Sequence, residues 1–87
     1  MKIIKISAVW CPGCLMMRKV WKSINSKYND LDITELDYDM DSNEVSKYNS
    51  GKILPVVIFE SDDGIELERL IGEQKESTLE ERINKYR

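Results

Sequence analysis

Trp10-Cys11-Pro12-Gly13-Cys14 holds both cysteines of the chain and stands where a continuous apolar run gives way to helical periodicity. The run, residues 2–9 (Lys-Ile-Ile-Lys-Ile-Ser-Ala-Val), is β-branched and almost unbroken, the pattern of an interior strand covered on both faces. Past the second cysteine, Met17, Val20, Trp21, Ile24 and Tyr28 recur at helical spacing. Pro12 suits the first helical position, where its missing N–H costs nothing. A strand therefore has to become a helix, over residues 12–27, at the two thiols. Unpaired N–H groups and the helix dipole favour an anion at such a terminus, so Cys11 should sit exposed there and ionise more readily than a free cysteine. A thiolate attacks disulfides, and a thiol three residues on can resolve the mixed disulfide that forms. Cys11 is thus the expected nucleophile and Cys14 the resolving thiol.

The 87 residues suffice for one domain, residues 1–87, with one core. With 41% hydrophobic and 33% charged residues the composition is that of a globular chain rather than a disordered one. A net charge of −3, with the basic residues scattered, gives no support to a nucleic-acid or anionic-membrane partner. Two cysteines spaced as a redox pair, with no others, point to a reducing, cytoplasmic setting rather than a secreted disulfide framework. Lys5 interrupts the first apolar run before it could form a signal-peptide core, and no stretch approaches the ~20 apolar residues of a membrane helix. The chain has no histidine, which excludes a Cys-His catalytic pair and a Cys2His2 zinc site within one chain. No metal and no bound cofactor are expected; the competing use of the cysteines is a metal or iron–sulfur site bridging two chains.

Downstream, Asn29-Asp30 breaks the helix, and residues 31–39, with Ile33, Leu36 and Tyr38 among polar neighbours, suit an edge strand. Asp41-Ser42-Asn43-Glu44 has the form of a capping box, with Asp41 accepting from the terminus of a short helix that ends near Asn49. Pro55-Val56-Val57-Ile58-Phe59 is the strongest strand signal, with proline allowed as its first residue. Asp62-Asp63-Gly64 supplies a hairpin turn. Ile65, Leu67 and Ile71 mark the returning strand, with a break in alternation around Arg69 and Leu70 and an end at Gly72. Ser77-Thr78-Leu79-Glu80 reads as a second capping box, opening a helix faced by Leu79, Ile83 and Tyr86. Met16 and Met17 read as packing residues, and Glu66, Glu68 and Glu80-Glu81-Arg82 as solvated faces. The order β-α-β-α-β-β-α implies an α/β domain: one four-stranded mixed sheet flanked by helices, its first two strands parallel and adjacent. Ligands meet such sheets at the carboxyl end of a central parallel strand, where Cys11 lies.

These residues resemble the thioredoxin superfamily along the whole chain. The matching pieces are Trp10-Cys11-x-x-Cys14, Met16-Met17, Leu36-Asp37-Tyr38-Asp39, Lys47-Tyr48, Leu54-Pro55 and Gly72. Trp10 and Leu54 are similar to thioredoxins, whereas the length is that of a glutaredoxin. Glutaredoxins usually carry Thr-Val-Pro and a Gly-Gly-x-Asp type turn for glutathione, where this chain reads Ile53-Leu54-Pro55 and Gly72-Glu73-Gln74. Pro12-Gly13 matches neither the Gly-Pro of thioredoxins nor the Pro-Tyr common in glutaredoxins. The extra N-terminal strand and helix of thioredoxins have no counterpart, which makes this the minimal thioredoxin fold.

The resemblance implies a cis Leu54-Pro55 bond facing the sulfurs, leaving the Leu54 backbone free to pair with an incoming peptide. It implies that Trp10 covers the dithiol and contacts partners, with Pro12, Gly13 and Gly72 completing the substrate surface. Thioredoxins typically bury an aspartate behind the second cysteine, often with a lysine on the neighbouring strand; here those positions are Lys5 and Glu35, the signs exchanged. The expectation is a pair in which Lys5 favours the Cys14 thiolate and Glu35 accepts its proton, set against a Lys5 that snorkels to the sheet rim beside a solvated Glu35. The activity implied is that of a monomeric thiol-disulfide oxidoreductase that reduces protein disulfides, carries electrons from a thioredoxin reductase or glutathione, and serves cell redox homeostasis. The alternatives are a glutathione-linked glutaredoxin-like enzyme and a redox-inert module presenting the Leu54-Pro55 groove to peptides.

Overall fold

The computed structural model describes residues 1–87. The chain runs β1 (Lys2–Ser7), α1 (Pro12–Met16), α2 (Arg18–Lys27), β2 (Asp32–Asp37), α3 (Ser42–Ser46), β3 (Val56–Glu60), β4 (Glu66–Ile71) and α4 (Glu76–Tyr86). These build one four-stranded sheet in the order β2-β1-β3-β4. β1 and β2 are parallel, and the β1–β3 and β3–β4 pairs are antiparallel. The two continuously apolar segments thus occupy the centre and the alternating one, β2, an edge, as burial on two faces or one requires.

Side chains alternate across β1 and β3, so each strand feeds two cores. On one face Ile3, Val57 and Phe59 meet Met17, Trp21 and Ile24 from the first helical segment and Leu79 and Ile83 from α4. On the other, Ile4, Ile6, Val56 and Ile58 lie under Val45 of α3. Each such buried side chain contributes on the order of 1.5–3 kcal/mol, enough for these two clusters to fix the sheet and the helices on it. No helix is long and apolar enough to cross a membrane.

Local details depart from the expectations of the sequence. The helix over residues 12–27 is two segments that meet at Met17 (φ −83°, ψ −2°), whose side chain is buried in the core with Trp21 and Ile24. Asp41 does not cap α3; its carboxylate accepts from the Asp37 N–H at 2.8 Å, while Asp37 accepts from the N–H groups of Asp39 and Met40. Two side-chain-closed turns at the end of β2 outcompete the cap. Nor do residues 77–80 form a capping box, because α4 starts earlier: Lys75 is the cap residue, without a side-chain bond, and Glu76 in the first turn takes Ser23 Oγ and Lys27 Nζ.

The break in strand alternation lies not at Arg69 and Leu70 but at the turn end of the hairpin. Phe59 pairs with Glu68 and Glu60 with Glu66, leaving Leu67 as the extra residue. Beyond it Leu70, opposite Val57, is the inward apolar residue, whereas Ile65, Leu67 and Ile71 are exposed. The same shift turns Glu68 toward α4, where it accepts from Arg82 Nε and Tyr86 Oη, each at 2.6 Å. Glu68 and Arg82 are therefore a partly buried strand-to-helix tie rather than solvated charges.

Candidate dithiol site

β1 delivers the chain to the upper edge of the sheet, and a turn closed by the Cys11 N–H donating to Ala8 O at 3.2 Å sets Cys11 at the start of α1. Cys11 is extended (φ −93°, ψ 111°), and its Sγ accepts from the Cys14 N–H at 3.2 Å, the geometry of a helix N-cap with sulfur in the place of oxygen. That contact becomes a charge-assisted bond when the sulfur is a thiolate. It also corrects an expectation: turned back onto the helix, Cys11 is buried, at 4% exposure, and Cys14 is the more open of the two. Both are free thiols. Burial, and then the hydrogen bond with Cys11, push the Cys14 thiol up from 9.0 to about 11, so it holds its proton at neutral pH.

Gly13 is what lets a second segment reach the thiols. A Cβ at this position would lie 3.3 Å from Pro55 Cδ and 3.7 Å from the Leu54 carbonyl oxygen, tighter than packing tolerates without movement. The Leu54-Pro55 bond is cis and lies against the dithiol loop. Gly72, at φ +90°, donates its N–H to Pro55 O at 2.8 Å and so ties the end of β4 to the same spot. Residues 10–14, 54–55 and 72–73 thus converge, with Pro12 exposed on the outer side of the loop.

Trp10 is 56% exposed and held at one flank. Its Nε1 donates to Asp39 Oδ2 at 2.7 Å, and its ring meets Tyr38 edge-on with centroids 6.0 Å apart. Asp39 and Tyr38 hold Trp10 in place, contacts that the sequence marked only as the end of the edge strand, Leu36-Asp37-Tyr38-Asp39. Val9, Ile53 and Ile71 are further exposed apolar side chains. Met17 packs in the core as expected, but Met16 is 69% exposed, because neighbouring helical positions point about 100° apart and only one of the two can face the sheet.

Lys5 and Glu35 are register partners in the parallel β1–β2 pair and form an ion pair at 2.6 Å. The lysine side chain is 13% exposed and the glutamate 69%, so the pair spans from the interior to solvent. Lys5 Nζ also lies 4.4 Å from the centroid of the Trp21 ring, a cation–π contact that holds the ammonium in place. Lys5, Glu35, Trp21 and Cys14 line one cavity of about 750 Å³, to which Asp37 and Asp41 also contribute. No group of three or more metal-ligating side chains is placed to hold an ion.

The family model described as thioredoxin matches residues 1–85. A thioredoxin of Ophiophagus hannah is 32% identical over 84 residues, covering 97% of this chain and 77% of that protein. One of Gallus gallus is 31% identical over 81 residues, covering 93% and 74%. Among solved structures, a Nicotiana alata thioredoxin superposes with a TM-score of 0.79 at 32% identity, covering 99% of this chain and 74% of the other. The reduced Schistosoma mansoni thioredoxin pre-protein superposes with a TM-score of 0.84 at 24% identity, covering 98% and 77%.

The raised Cys14 thiol has a direct readout. Its alkylation rate, separated from that of Cys11 by peptide fragmentation, should climb about tenfold per pH unit until close to pH 11, following the thiolate fraction. A rate that levels off by pH 9 contradicts the burial and the Cys11 contact assigned to it.

Proposed function

Because this chain belongs to the thioredoxin family, we propose that its protein-disulfide reductase activity runs through the Cys-Pro-Gly-Cys dithiol in two exchanges. In the first, the Cys11 thiolate attacks one sulfur of a substrate disulfide; a Cys11–substrate bond forms, and the other substrate sulfur leaves and takes up a proton. In the second, Cys14 gives up its proton and attacks Cys11 Sγ, so that the Cys11–Cys14 bond forms and the second substrate sulfur leaves as a thiol. The substrate gains two electrons and two protons, and the dithiol becomes a disulfide. A thioredoxin reductase or glutathione then resets it. The observation that carries this reading is the Cys14 N–H to Cys11 Sγ contact at 3.2 Å, which puts both sulfurs at one helix start beside Leu54-Pro55.

An extended segment of a protein substrate lies along Leu54, with Trp10, Pro12, Gly13, Pro55 and Gly72 forming its seat. The exposed rings and aliphatic chains of Trp10, Ile53 and Ile71 supply apolar contact, and the open backbone at Gly13 and Gly72 allows close approach. Retention of a complete dithiol favours this over a redox-inert peptide-binding module. Two cysteines spaced as a redox pair, with no others, suit a reducing compartment, and the cytoplasm is the setting proposed.

The resolving step needs a route for the Cys14 proton, and no histidine is available to provide one. Lys5 and Glu35 serve this step: the Lys5 ammonium, fixed by Glu35 and Trp21, lowers the cost of a thiolate on the wall of the shared cavity. Glu35, reaching solvent from the same cavity, accepts the proton and releases it to water.

Two experiments follow. Cys14→Ser should leave Cys11 joined to substrates as mixed disulfides that persist on non-reducing gels. If Cys14→Ser accumulates none with any protein disulfide, Cys11 is not the nucleophile. Separately, Lys5→Asp and Glu35→Lys should each slow resolution several-fold, and the double exchange should recover part of the loss. Strictly additive effects mean that the two residues do not act together.

A further inference from the structure

Glu73 is the charged side chain that the fold brings against the dithiol loop. Gly72 makes this possible: its left-handed backbone (φ +90°) and its hydrogen bond to Pro55 O turn the chain sharply after β4. Gln74 pins the turn by donating from Nε2 to the carbonyls of Ile71 and Gly72, each at 3.3 Å. On the opposing side lies Gly13, where a Cβ would make ordinary contact, at 3.9 Å, with Glu73 Cβ. The turn at Gly72 thus sets Glu73 beside Gly13, in the loop between Cys11 and Cys14.

The charge is uncommitted. Glu66, Glu68, Glu76 and Glu80 are each taken by an arginine or lysine of the chain. Glu73 is exposed and meets no cation and no hydrogen-bond donor of the chain. Pro55 and the exposed Ile71 lie near it, with Gln74 and Lys75 following it in the chain. A negative charge beside an apolar seat fits a peptide whose disulfide is flanked by a lysine or arginine.

Building on the disulfide-reductase reading above, we propose that Glu73 is a specificity-determining residue that selects protein disulfides with a basic residue next to the attacked cysteine. One unit charge at about 6 Å across water changes an association constant roughly threefold at low salt, so exchanging a substrate cation for an anion should change it roughly tenfold. Attraction of this kind acts on encounter and orientation and not on the sulfur chemistry.

The test uses the reduced full chain and three cyclic peptide disulfides identical except for one flanking residue: arginine, glutamine or glutamate. Stopped-flow or quenched rates at low ionic strength should favour the arginine peptide over the glutamate peptide by roughly tenfold, and about 0.5 M salt should remove most of the difference. In Glu73→Gln the ratio should fall toward one, and in Glu73→Lys it should invert. An unchanged ratio in Glu73→Gln and Glu73→Lys, or no preference in the parent chain, overturns the assignment while leaving the reductase reading intact. Failure of the parent chain to reduce even the glutamine peptide overturns that reading, and the assignment with it.

Discussion

Burial of β1 on both faces is the constraint from which the rest of the structure follows. Ile3, Ile4 and Ile6 are nearly or fully excluded from solvent, one face closed by the helices carrying Trp21 and Leu79 and the other by α3. A strand covered in this way must be central, with β2 and β3 on either side. Its carboxyl end then emerges in the middle of the sheet edge rather than at a corner. The dithiol inherits that position, flanked by what leaves β2 (Tyr38 and Asp39) and by what enters β3 (Leu54 and Pro55). The site is thus assembled by topology, and its chemistry by a handful of short contacts laid on top.

Lys5 shows how strong that constraint is. An unpaired buried ammonium would lose several kcal/mol to desolvation, more than one isoleucine of the same strand gains. The strand accommodates it because parallel register places Glu35 beside it and α2 lays the Trp21 ring over it. The polar defect in the core opens onto the same cavity as Cys14, the thiol that burial pushes up to about 11.

The order of elements was legible because it rests on periodicities that no competing interaction can override: the uninterrupted run of β1, the Val-Val-Ile-Phe of β3, and the helical spacing of Trp21 and Ile24. The same holds for the dithiol, whereas counting along two parallel strands left open whether Lys5 meets a carboxylate or snorkels to the rim; the structure pairs it with a Glu35 that stays largely solvated. What could not be read was decided between near-equal local options by distant partners. Asp41 can cap a helix or close a turn, and Asp37 decides it. Glu68 looks solvated until an extra Leu67 in the hairpin turns it toward Arg82 and Tyr86. Cys11 looks exposed from its place at a helix start, yet its own sulfur serves as the cap and is drawn inward. Glu73 carries no pattern of its own; only the meeting of Gly13 with the Gly72 turn reveals where it lies.

In a two-exchange reaction one chain supplies both sulfurs. Reduced chain can be incubated with excess of a protein disulfide, quenched with acid, and its thiols and intramolecular disulfides counted by mass spectrometry. Both thiols should be lost, with a Cys11–Cys14 disulfide within each reacted chain and two new thiols on the substrate for every chain oxidised. Substrate reduction without that internal disulfide, or oxidised chains joined to each other through Cys11 or Cys14, would contradict it.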